Sequence, residues 1–222
     1  MNSQRSELSA QLSSSSLKDR VLALVELQKE TLPAEVAFPL IKQAIADENV
    51  QVRGMAVFAL GIKQTPENFA ILTQILETDA DYNIRAMAAG ALGYLEDARA
   101  LTPLQRAFYE DTSWLVQFSA AIALGNIKAP QAEAVLLKAL HSEQTLLQQG
   151  AVMALGEIGA VDAVEQMVAL VDADDWLLRQ RLAEALGKLP CDKSQSALRY
   201  LRRDAHPQVA EAATLALANL SQ

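Results

Sequence analysis

Residues that carry common catalytic and metal-binding chemistry are scarce in this 222-residue sequence, which has one cysteine and two histidines. The single cysteine, Cys191, excludes an internal disulfide, and neither His141 nor His206 has a second histidine or a cysteine at metal-ligand spacing. The motifs GxSxG, GxGxxG and the phosphate-binding P-loop are all missing. The residues alone therefore favour a binding scaffold over an enzyme, and no metal is expected. A transient covalent carrier role for Cys191 is the minor alternative.

Positive charge and long apolar runs are scarce as well. The chain has 19 Lys and Arg against 27 Asp and Glu, a net charge of −8, whereas nucleic-acid binding and attachment to anionic lipid both need a basic surface. No run approaches the roughly 20 apolar residues of a membrane-spanning helix, and residues 1–5 are polar, unlike a signal peptide. We therefore expect neither nucleic-acid binding nor membrane insertion, and a reducing, cytoplasmic location.

What the sequence has in abundance is one repeated dipeptide, Leu-Gly. Its glycines stand at positions 61, 93, 125, 156 and 187, and Leu217-Ala218 adds a sixth copy, so that successive copies are 31 or 32 residues apart. Each copy closes an apolar segment, and another apolar segment, such as residues 69–76, precedes it in the same unit. Periods of this size are typical of proteins that stack pairs of helices.

Each unit has the same order of residue types. Small residues precede the Leu-Gly, as in residues 84–93 (IRAMAAGALG), and they would let neighbouring helices approach closely. The glycine is predicted to stop the second helix in a left-handed conformation. An acidic residue or serine stands between the two helices and is predicted to cap the second one; these residues are Asp47, Asp79, Asp111, Ser142, Asp174 and Asp204.

These features predict an all-α fold, an α-solenoid in which each helix pair buries its apolar stripe against its neighbours. Residues 1–32 are predicted to form N-terminal capping helices and residues 33–222 six helix pairs, all within one solenoid domain, 1–222. The pattern Val-Arg-x-x-Ala-Ala-x-Ala-Leu-Gly resembles a HEAT-type repeat, and residues 52–61, 84–93 and 178–187 carry it best.

The second helices of such a stack line one long inner face. The position three residues before each Leu-Gly glycine, or before Ala218, is predicted to point into it; this column reads Phe58, Gly90, Ile122, Met153, Glu184 and Leu215. The column four residues further back reads Gly54, Ala86, Phe118, Gln149, Gln180 and Glu211. Because a solvent-facing column is normally polar, the apolar members indicate a binding surface.

The two columns together predict a groove with an apolar middle and a polar end. Its apolar floor is predicted at Phe58, Phe118, Ile122 and Met153. Its C-terminal end turns polar, with Arg181 and Glu184. The alternative is a helix rotation that differs by one position, which would make the apolar members ordinary core residues.

Aromatic residues form a further column, two residues before the Val of the repeat pattern. Tyr82, Trp114 and Trp176 share this register, so both tryptophans of the chain stand in it. They are either binding anchors along one rim of the groove or spacers that pack over the adjacent turn. The pattern slightly favours spacers.

Arginine dominates another column, which reads Arg20, Arg53, Arg85, Gln117, Gln148 and Arg179. Its predicted role is a ladder that bonds the acidic capping residues of neighbouring units. The minority interpretation is a bidentate grip on the carboxylate of a ligand. Arg199, Arg202 and Arg203 share one helical face in the last pair, either as a solvated face or as a docking patch for an acidic partner.

A narrower resemblance rests on the third and sixth pairs. Residues 104–109 (LQRAFY), 113–119 (SWLVQFS) and 206–210 (HPQVA) resemble the cyanobacterial phycobilisome-degradation protein of the non-bleaching B type, a family related to the HEAT-like subunits of phycocyanin bilin lyases. One departure is Gly54, where that family has Tyr after the Val-Arg of the first full repeat. The resemblance covers nearly the whole chain after Leu17.

The resemblance implies binding to phycobiliproteins, namely phycocyanin or allophycocyanin subunits, and a part in phycobilisome degradation or chromophore detachment at the thylakoid surface. Phycocyanobilin is then the expected ligand, with no tightly bound cofactor. The alternative is a non-enzymatic adaptor that holds protein partners. Any activity would be bilin lyase-like, without a recognisable catalytic constellation. The candidate groove residues are Phe58, Tyr82, Arg85, Trp114, Phe118, Ile122, Gln149, Met153, Trp176, Arg181 and Glu184.

Overall fold

The computed structural model describes residues 2–220, with side chains from residue 5 onward. Within that range the chain contains helices and turns and no strand, which confirms the all-α solenoid predicted from the repeat. The first residue and the last two of the predicted solenoid lie outside the described residues. None of the helices between residues 2 and 220 has both the length and the hydropathy to cross a membrane.

Fourteen α-helices follow one another between residues 2 and 220. They are α1 (Asn2–Leu12), α2 (Leu17–Leu27), α3 (Ala34–Ala44), α4 (Val50–Ile62), α5 (Asn68–Thr78), α6 (Tyr82–Tyr94), α7 (Leu101–Glu110), α8 (Trp114–Asn126), α9 (Glu133–Leu140), α10 (Thr145–Glu157), α11 (Val164–Met167), α12 (Trp176–Leu186), α13 (Asp192–Leu201) and α14 (Pro207–Leu220). Short 3₁₀ turns lead into α7, α9 and α11, and another extends α11.

The helices form two layers, because odd-numbered helices stack on odd and even-numbered on even. Even-numbered helices contact their even-numbered neighbours extensively from α4 to α14, whereas the odd-numbered helices touch one another only slightly. A stack whose two layers differ in spacing must curve toward the closer layer. The even-numbered helices, which are the second helices of each pair, therefore form the inner wall.

The core runs the length of the stack between the two layers. The leucine of every Leu-Gly is fully buried in it, and these residues are Leu60, Leu92, Leu124, Leu155 and Leu186. Burial of each such side chain contributes about 1.5–3 kcal/mol. Alanines fill most of the remaining inner-layer positions, which keeps the even-numbered helices close together.

The predicted left-handed helix stop at the Leu-Gly glycines is wrong, and only Gly187 directly follows the end of its helix, with a right-handed φ of −64°. Gly93 and Gly125 lie inside α6 and α8, and a Cβ on either would come within 2.7–2.9 Å of an alanine in the next even-numbered helix. The left-handed stop comes three residues later, at Glu96, Lys128 and Gly159, with φ of 50°, 49° and 72°. The glycine is thus required for close helix packing, and the stop does not depend on glycine in two of these three units.

The predicted capping residues are also displaced. The side chains of Asn49 and Asp81 cap α4 and α6, two residues beyond the predicted positions. The predicted acids instead form a turn just before the cap: Asp79 Oδ1 accepts from the amide of Asp81 at 2.9 Å, and Asp111 Oδ1 from that of Ser113 at 2.8 Å. This turn leaves the second carboxylate oxygen free to reach the neighbouring unit.

Candidate functional site

The four arginines of the predicted column form the ladder that their register predicts, whereas Gln117 and Gln148 instead donate to main-chain oxygens of Asp111 and Leu140, ahead of their own helices. Arg85 Nε and Nη2 donate to the two carboxylate oxygens of Asp111 in the next unit, at 2.7 and 3.0 Å. Its Nη1 donates to the main-chain oxygen of Asp79 at 2.9 Å, so that Arg85 ties the loop before α6 to the loop before α8. Equivalent pairs are Arg20–Asp47, Arg53–Asp79 and Arg179–Asp204. The ladder holds the loops at one edge of the solenoid in register.

The ladder also sets the charge state of its carboxylates. Partial burial raises the pKa of Asp111, but the hydrogen bonds from Arg85 and from the Ser113 amide outweigh it, so the pKa lies below its ordinary value. The Arg179 guanidinium likewise lowers the pKa of Asp204. Both acids are therefore ionised at neutral pH, and a ligand carboxylate would have to displace Asp111 before it could bind Arg85.

The inner wall opens where α4 and α6 meet. A hollow of about 570 Å³ lies there, lined by Phe58, Ile62, Met87 and Tyr94, with Gly90 among the lining residues. Phe58 is 48% exposed and Tyr94 63% exposed. A Cβ on Gly90 would have no heavy atom within 4 Å, so the absence of a side chain there enlarges the hollow.

Only part of this hollow was found by sequence reasoning. Phe58 was predicted as a groove residue, whereas Ile62, Met87 and Tyr94 were missed. Ile62 and Tyr94 directly follow the Leu-Gly glycines, one helical turn beyond the predicted column, and are apolar only in these two units. An apolar residue after Leu-Gly was the signal that could have identified them.

The middle of the inner wall is filled rather than open. Phe118, Ile122 and Met153 are each only partly exposed. The Phe118 ring lies over α10, where its Cδ2 would be 3.1 Å from a Cβ on Gly150. Gln149 is buried and donates to Asp175 Oδ1 at 2.9 Å. These residues stand on the predicted wall, but the opening lies nearer the N-terminus.

The C-terminal end of the inner wall is polar. Arg181 Nη1 lies 2.9 Å from Glu184 Oε2, and Gln180 Nε2 donates to Glu184 Oε1 at 2.8 Å. A second depression, of about 520 Å³, lies between α12 and α14 and includes Gln180, Glu184 and Glu211 in its lining. This end therefore offers hydrogen-bonding groups together with the apolar side chain of Leu215, which is 61% exposed and lines the same depression.

The three aromatic-column residues each begin an even-numbered helix, but their surroundings differ. The Trp176 ring stacks on His206 of the last unit, with centroids 4.1 Å apart and planes 10° apart, so it acts as a spacer. Tyr82 and Trp114 are 50% and 46% exposed, and no ring contact within residues 5–220 involves them. Those two remain candidates for binding anchors.

Cys191 occupies the start of α13. Its Sγ caps the helix by accepting from the Ser194 amide at 3.5 Å and lies 3.3 Å from the Ser194 hydroxyl oxygen. Partial burial raises the pKa of the thiol, but the hydrogen bonds from Ser194 and the Lys193 amide outweigh this and lower it overall. Among the residues described, no cluster of His, Cys, Asp and Glu has the arrangement of a metal site.

Comparison with known protein families decides what kind of array this is. The family model described as HEAT repeats matches residues 36–125, 69–147, 109–187 and 133–218, which together span most of the chain. The chain belongs to the HEAT-repeat family. No curated protein sequence gives a significant match to this HEAT-repeat chain.

Solved structures with the same fold come from several sources. The complex of CpcE and CpcF of phycocyanin lyase from Nostoc sp. PCC7120 aligns with a TM-score of 0.63 at 22% identity, covering 97% of this HEAT-repeat chain and 94% of that chain. The Escherichia coli protein YibA aligns with a TM-score of 0.63 at 17% identity, covering 100% and 95%. An engineered protein aligns with a TM-score of 0.56 at 22% identity, covering 100% and 97%. At these identities the likeness concerns the fold.

Proposed function

We propose that this HEAT-repeat protein binds a partner protein through the hollow between α4 and α6, and that the partner is a phycobiliprotein. The hollow is the observation that carries the proposal. It leaves large apolar side chains uncovered on the inner wall, and its volume of about 570 Å³ falls within the roughly 300–1,000 Å³ of ordinary ligand sites. Covering such a surface supplies the free energy of association.

Two observations support the choice of a phycobiliprotein. The fold is shared with the CpcE–CpcF complex of phycocyanin lyase, and residues 113–119 resemble the phycobilisome-degradation family. The partner would be a phycocyanin or allophycocyanin subunit, and the site of action the cytoplasmic surface of the thylakoid. The role would be the handling of bilin-carrying subunits during phycobilisome degradation.

The chemistry of the hollow bears on whether the bilin itself enters it. Phycocyanobilin is a long apolar tetrapyrrole with two propionates, and the hollow offers an apolar wall but no cation among its lining residues. Lys63, which directly follows the helix that carries Phe58, is buried and donates to the main-chain oxygens of Lys29 and Leu32. We therefore expect the pyrrole rings to contact Phe58 and Tyr94 while the propionates face solvent.

A second candidate function is a non-enzymatic adaptor that never contacts a bilin. The observation that favours it is the state of the arginines, since Arg85 and Arg181 are already paired with Asp111 and Glu184. The hollow would then receive apolar side chains of a partner protein.

Titration calorimetry with three probes separates these functions: phycocyanin subunits carrying bilin, the same subunits without bilin, and free phycocyanobilin. A bilin-handling protein should bind the chromophorylated subunit at least tenfold more tightly than the bare one, and should shift the visible absorbance of the bilin. Equal affinity for both subunits, with no absorbance change, would establish the adaptor. No binding to any probe would reject the phycobiliprotein as partner.

Variants locate the binding in the hollow. Gly90→Leu should fill it without disturbing the fold, because the added atoms enter open space, and should lower the affinity at least tenfold. Ala70→Leu is the matched control, since it adds the same side chain to an exposed position on α5 in the outer layer. If Gly90→Leu still bound with unchanged affinity, the binding site would have to lie outside the hollow.

A further inference from the structure

A second uncovered apolar surface lies at the edge of the solenoid where the even-numbered helices begin. Val50, Tyr82 and Trp114 are the first residues of α4, α6 and α8, and all three are more than 40% exposed. On α10 the same register holds Thr145, and the exposed apolar residue is its neighbour Leu146, which is 41% exposed and adds a fourth apolar side chain at this edge. We call these four residues the edge row; it is separate from the hollow, which lies beyond the middle of α4 and α6.

The ladder shows that members of the edge row are close neighbours. Arg53 of α4 reaches Asp79, three residues before Tyr82, and Arg85 of α6 reaches Asp111, three residues before Trp114. Packed helices have axes about 8–10 Å apart. The edge row therefore presents an apolar side chain at roughly 10 Å intervals along the stack.

Carboxylates accompany the edge row. Glu48, Asp81, Glu110 and Glu143 stand within four residues of its members, and none of them forms a salt bridge with another residue in the described part of the chain. The arginines of the same edge are engaged with Asp47, Asp79 and Asp111 instead. The ladder thus neutralises the inner acids and leaves the outer four as uncompensated negative charge.

We propose that the edge row and its four carboxylates form a docking surface for an amphipathic helix of a partner protein, with apolar residues every seventh position and Lys or Arg beside them. A helix rises about 1.5 Å per residue, so residues seven apart are about 10 Å apart and on one face. A strand covers the same distance in three residues, which places successive contacts on opposite faces. The basic side chains complement the charge of the four carboxylates, of which Asp81 also caps α6.

The test uses a fluorescein-labelled 21-residue probe peptide, of roughly three heptads, with Leu at the first and fourth position of each heptad and Lys elsewhere. The control peptide has the same composition with the leucines scrambled. Fluorescence anisotropy should show binding of the heptad peptide at least tenfold tighter than that of the scrambled one. Equal binding of the two would overturn the proposed spacing, as would no binding of either up to about 1 mM.

A pair of charge variants tests the location. The edge variant Glu48→Gln/Asp81→Asn/Glu110→Gln/Glu143→Gln removes four negative charges and keeps a side-chain oxygen to cap α6. The matched variant changes four exposed acids in the connections at the opposite edge, none of which forms a salt bridge with another described residue: Glu30→Gln/Glu67→Gln/Glu96→Gln/Asp162→Asn. The proposal requires at least a tenfold loss of affinity in the first and less than a twofold change in the second. Equal losses of affinity in the two variants would show that only the net charge of the protein matters, and would overturn the proposal.

The fluorescence of Trp114 tests the apolar part of the surface. In a Trp176→Phe background Trp114 is the single tryptophan, and its emission should shift to the blue as the heptad peptide covers it. Trp114→Ser should lower the affinity at least tenfold, whereas Gly90→Leu should leave it unchanged because the hollow is not involved. An unshifted Trp114 emission at saturating peptide, or a loss of affinity in Gly90→Leu, would place the peptide elsewhere.

Discussion

The joint between α4 and α6 and the joint between α8 and α10 are built from the same Leu-Gly and yet differ. At the α8–α10 joint, a Cβ on Gly125 would lie 2.7 Å from the Ala154 Cα, so the two backbones are in contact. At the α4–α6 joint, a Cβ on Gly61 would lie 3.3 Å from the Ala91 Cβ. The first joint is sealed, and the second is looser by about half an ångström and borders the hollow.

The residues around the glycine account for what each joint exposes. At the sealed joint the Phe118 ring crosses from α8 to cover Gly150 of α10. At the open joint the Met87 side chain lies against Gly54 of α4, where its Sδ would be 3.1 Å from a Cβ, but Gly90 supplies no side chain to fill the space beside Phe58. The glycine permits close contact between the helices at both joints. The flanking side chains decide whether the inner wall is filled at that joint or leaves a hollow.

The largest expected effect comes from adding one methyl group at each glycine. Gly125→Ala drives a Cβ into main-chain atoms, and overpacking of this kind costs about 1–3 kcal/mol, more than the gain in helix propensity of about 1 kcal/mol. Gly61→Ala meets the Ala91 methyl at 3.3 Å, so α4 and α6 need to separate by only a small fraction of an ångström, and cost and gain should nearly cancel. Urea denaturation followed by far-ultraviolet circular dichroism measures both.

The comparison between the joints fails if the two alanine variants lose the same stability. It is sharpened if the hollow variant Gly61→Ala keeps its stability and the sealed-joint variant Gly125→Ala lowers the denaturation midpoint with an unchanged slope. An altered slope would mean that the array no longer unfolds as one unit.

The next effect concerns the ladder, which is also looser at the open joint. Arg85 binds Asp111 at 2.7 and 3.0 Å, whereas Arg53 binds Asp79 at 3.2 and 3.4 Å. Asp111→Asn should therefore lower the free energy of unfolding by about 1–3 kcal/mol, the contribution of hydrogen bonds to a charged group. Asp79→Asn should lower it by less, and an equal or greater loss would contradict the difference in geometry.

The pH dependence of the same variant has a definite sign. Because the pKa of Asp111 is lowered on folding, its contribution is complete above the ordinary carboxyl pKa of about 4 and is lost as the pH falls through the lowered value. The stability gap between the wild type and Asp111→Asn should thus be constant near neutral pH and narrow in acid. Denaturation series at neutral and acidic pH measure it, and a gap that widens in acid would exclude the ladder as its cause.

The smallest effect is expected at the open joint itself. Gly90→Ala adds a methyl group to a helix at a position with no neighbouring atom within 4 Å, so the gain in helix propensity is uncompensated and amounts to about 0.5–1 kcal/mol. For a chain of this length that corresponds to a rise in Tm of roughly 2–4 °C. A fall in Tm would show that the space beside Gly90 is filled in solution.

The period of Leu-Gly was enough to predict the fold, because burial of one leucine per unit and close packing of small residues follow from any stack of such pairs. The ladder was predictable in the four units that carry arginine, where each arginine pairs with an acid 25–27 residues further on, but not in the units that carry Gln117 and Gln148. The helix stop at Glu96 was not predictable from glycine, because a left-handed residue here need not be glycine. The hollow was not predictable in full, since exposure of Ile62 and Tyr94 depends on how far apart α4 and α6 settle.

The buried ammonium of Lys63 has a consequence for helices α1 and α2. It donates to the main-chain oxygens of Lys29 and Leu32, just after α2, and so fastens the segment after α2 to the end of α4. Helices with few contacts open first; α1 packs chiefly on α2 and α3, and α2 packs on α4, which is a wall of the hollow. Any molecule that occupies the hollow should therefore slow hydrogen exchange in α1 and α2 without touching them. The exchange rate of these two helices would then measure whether the hollow is occupied.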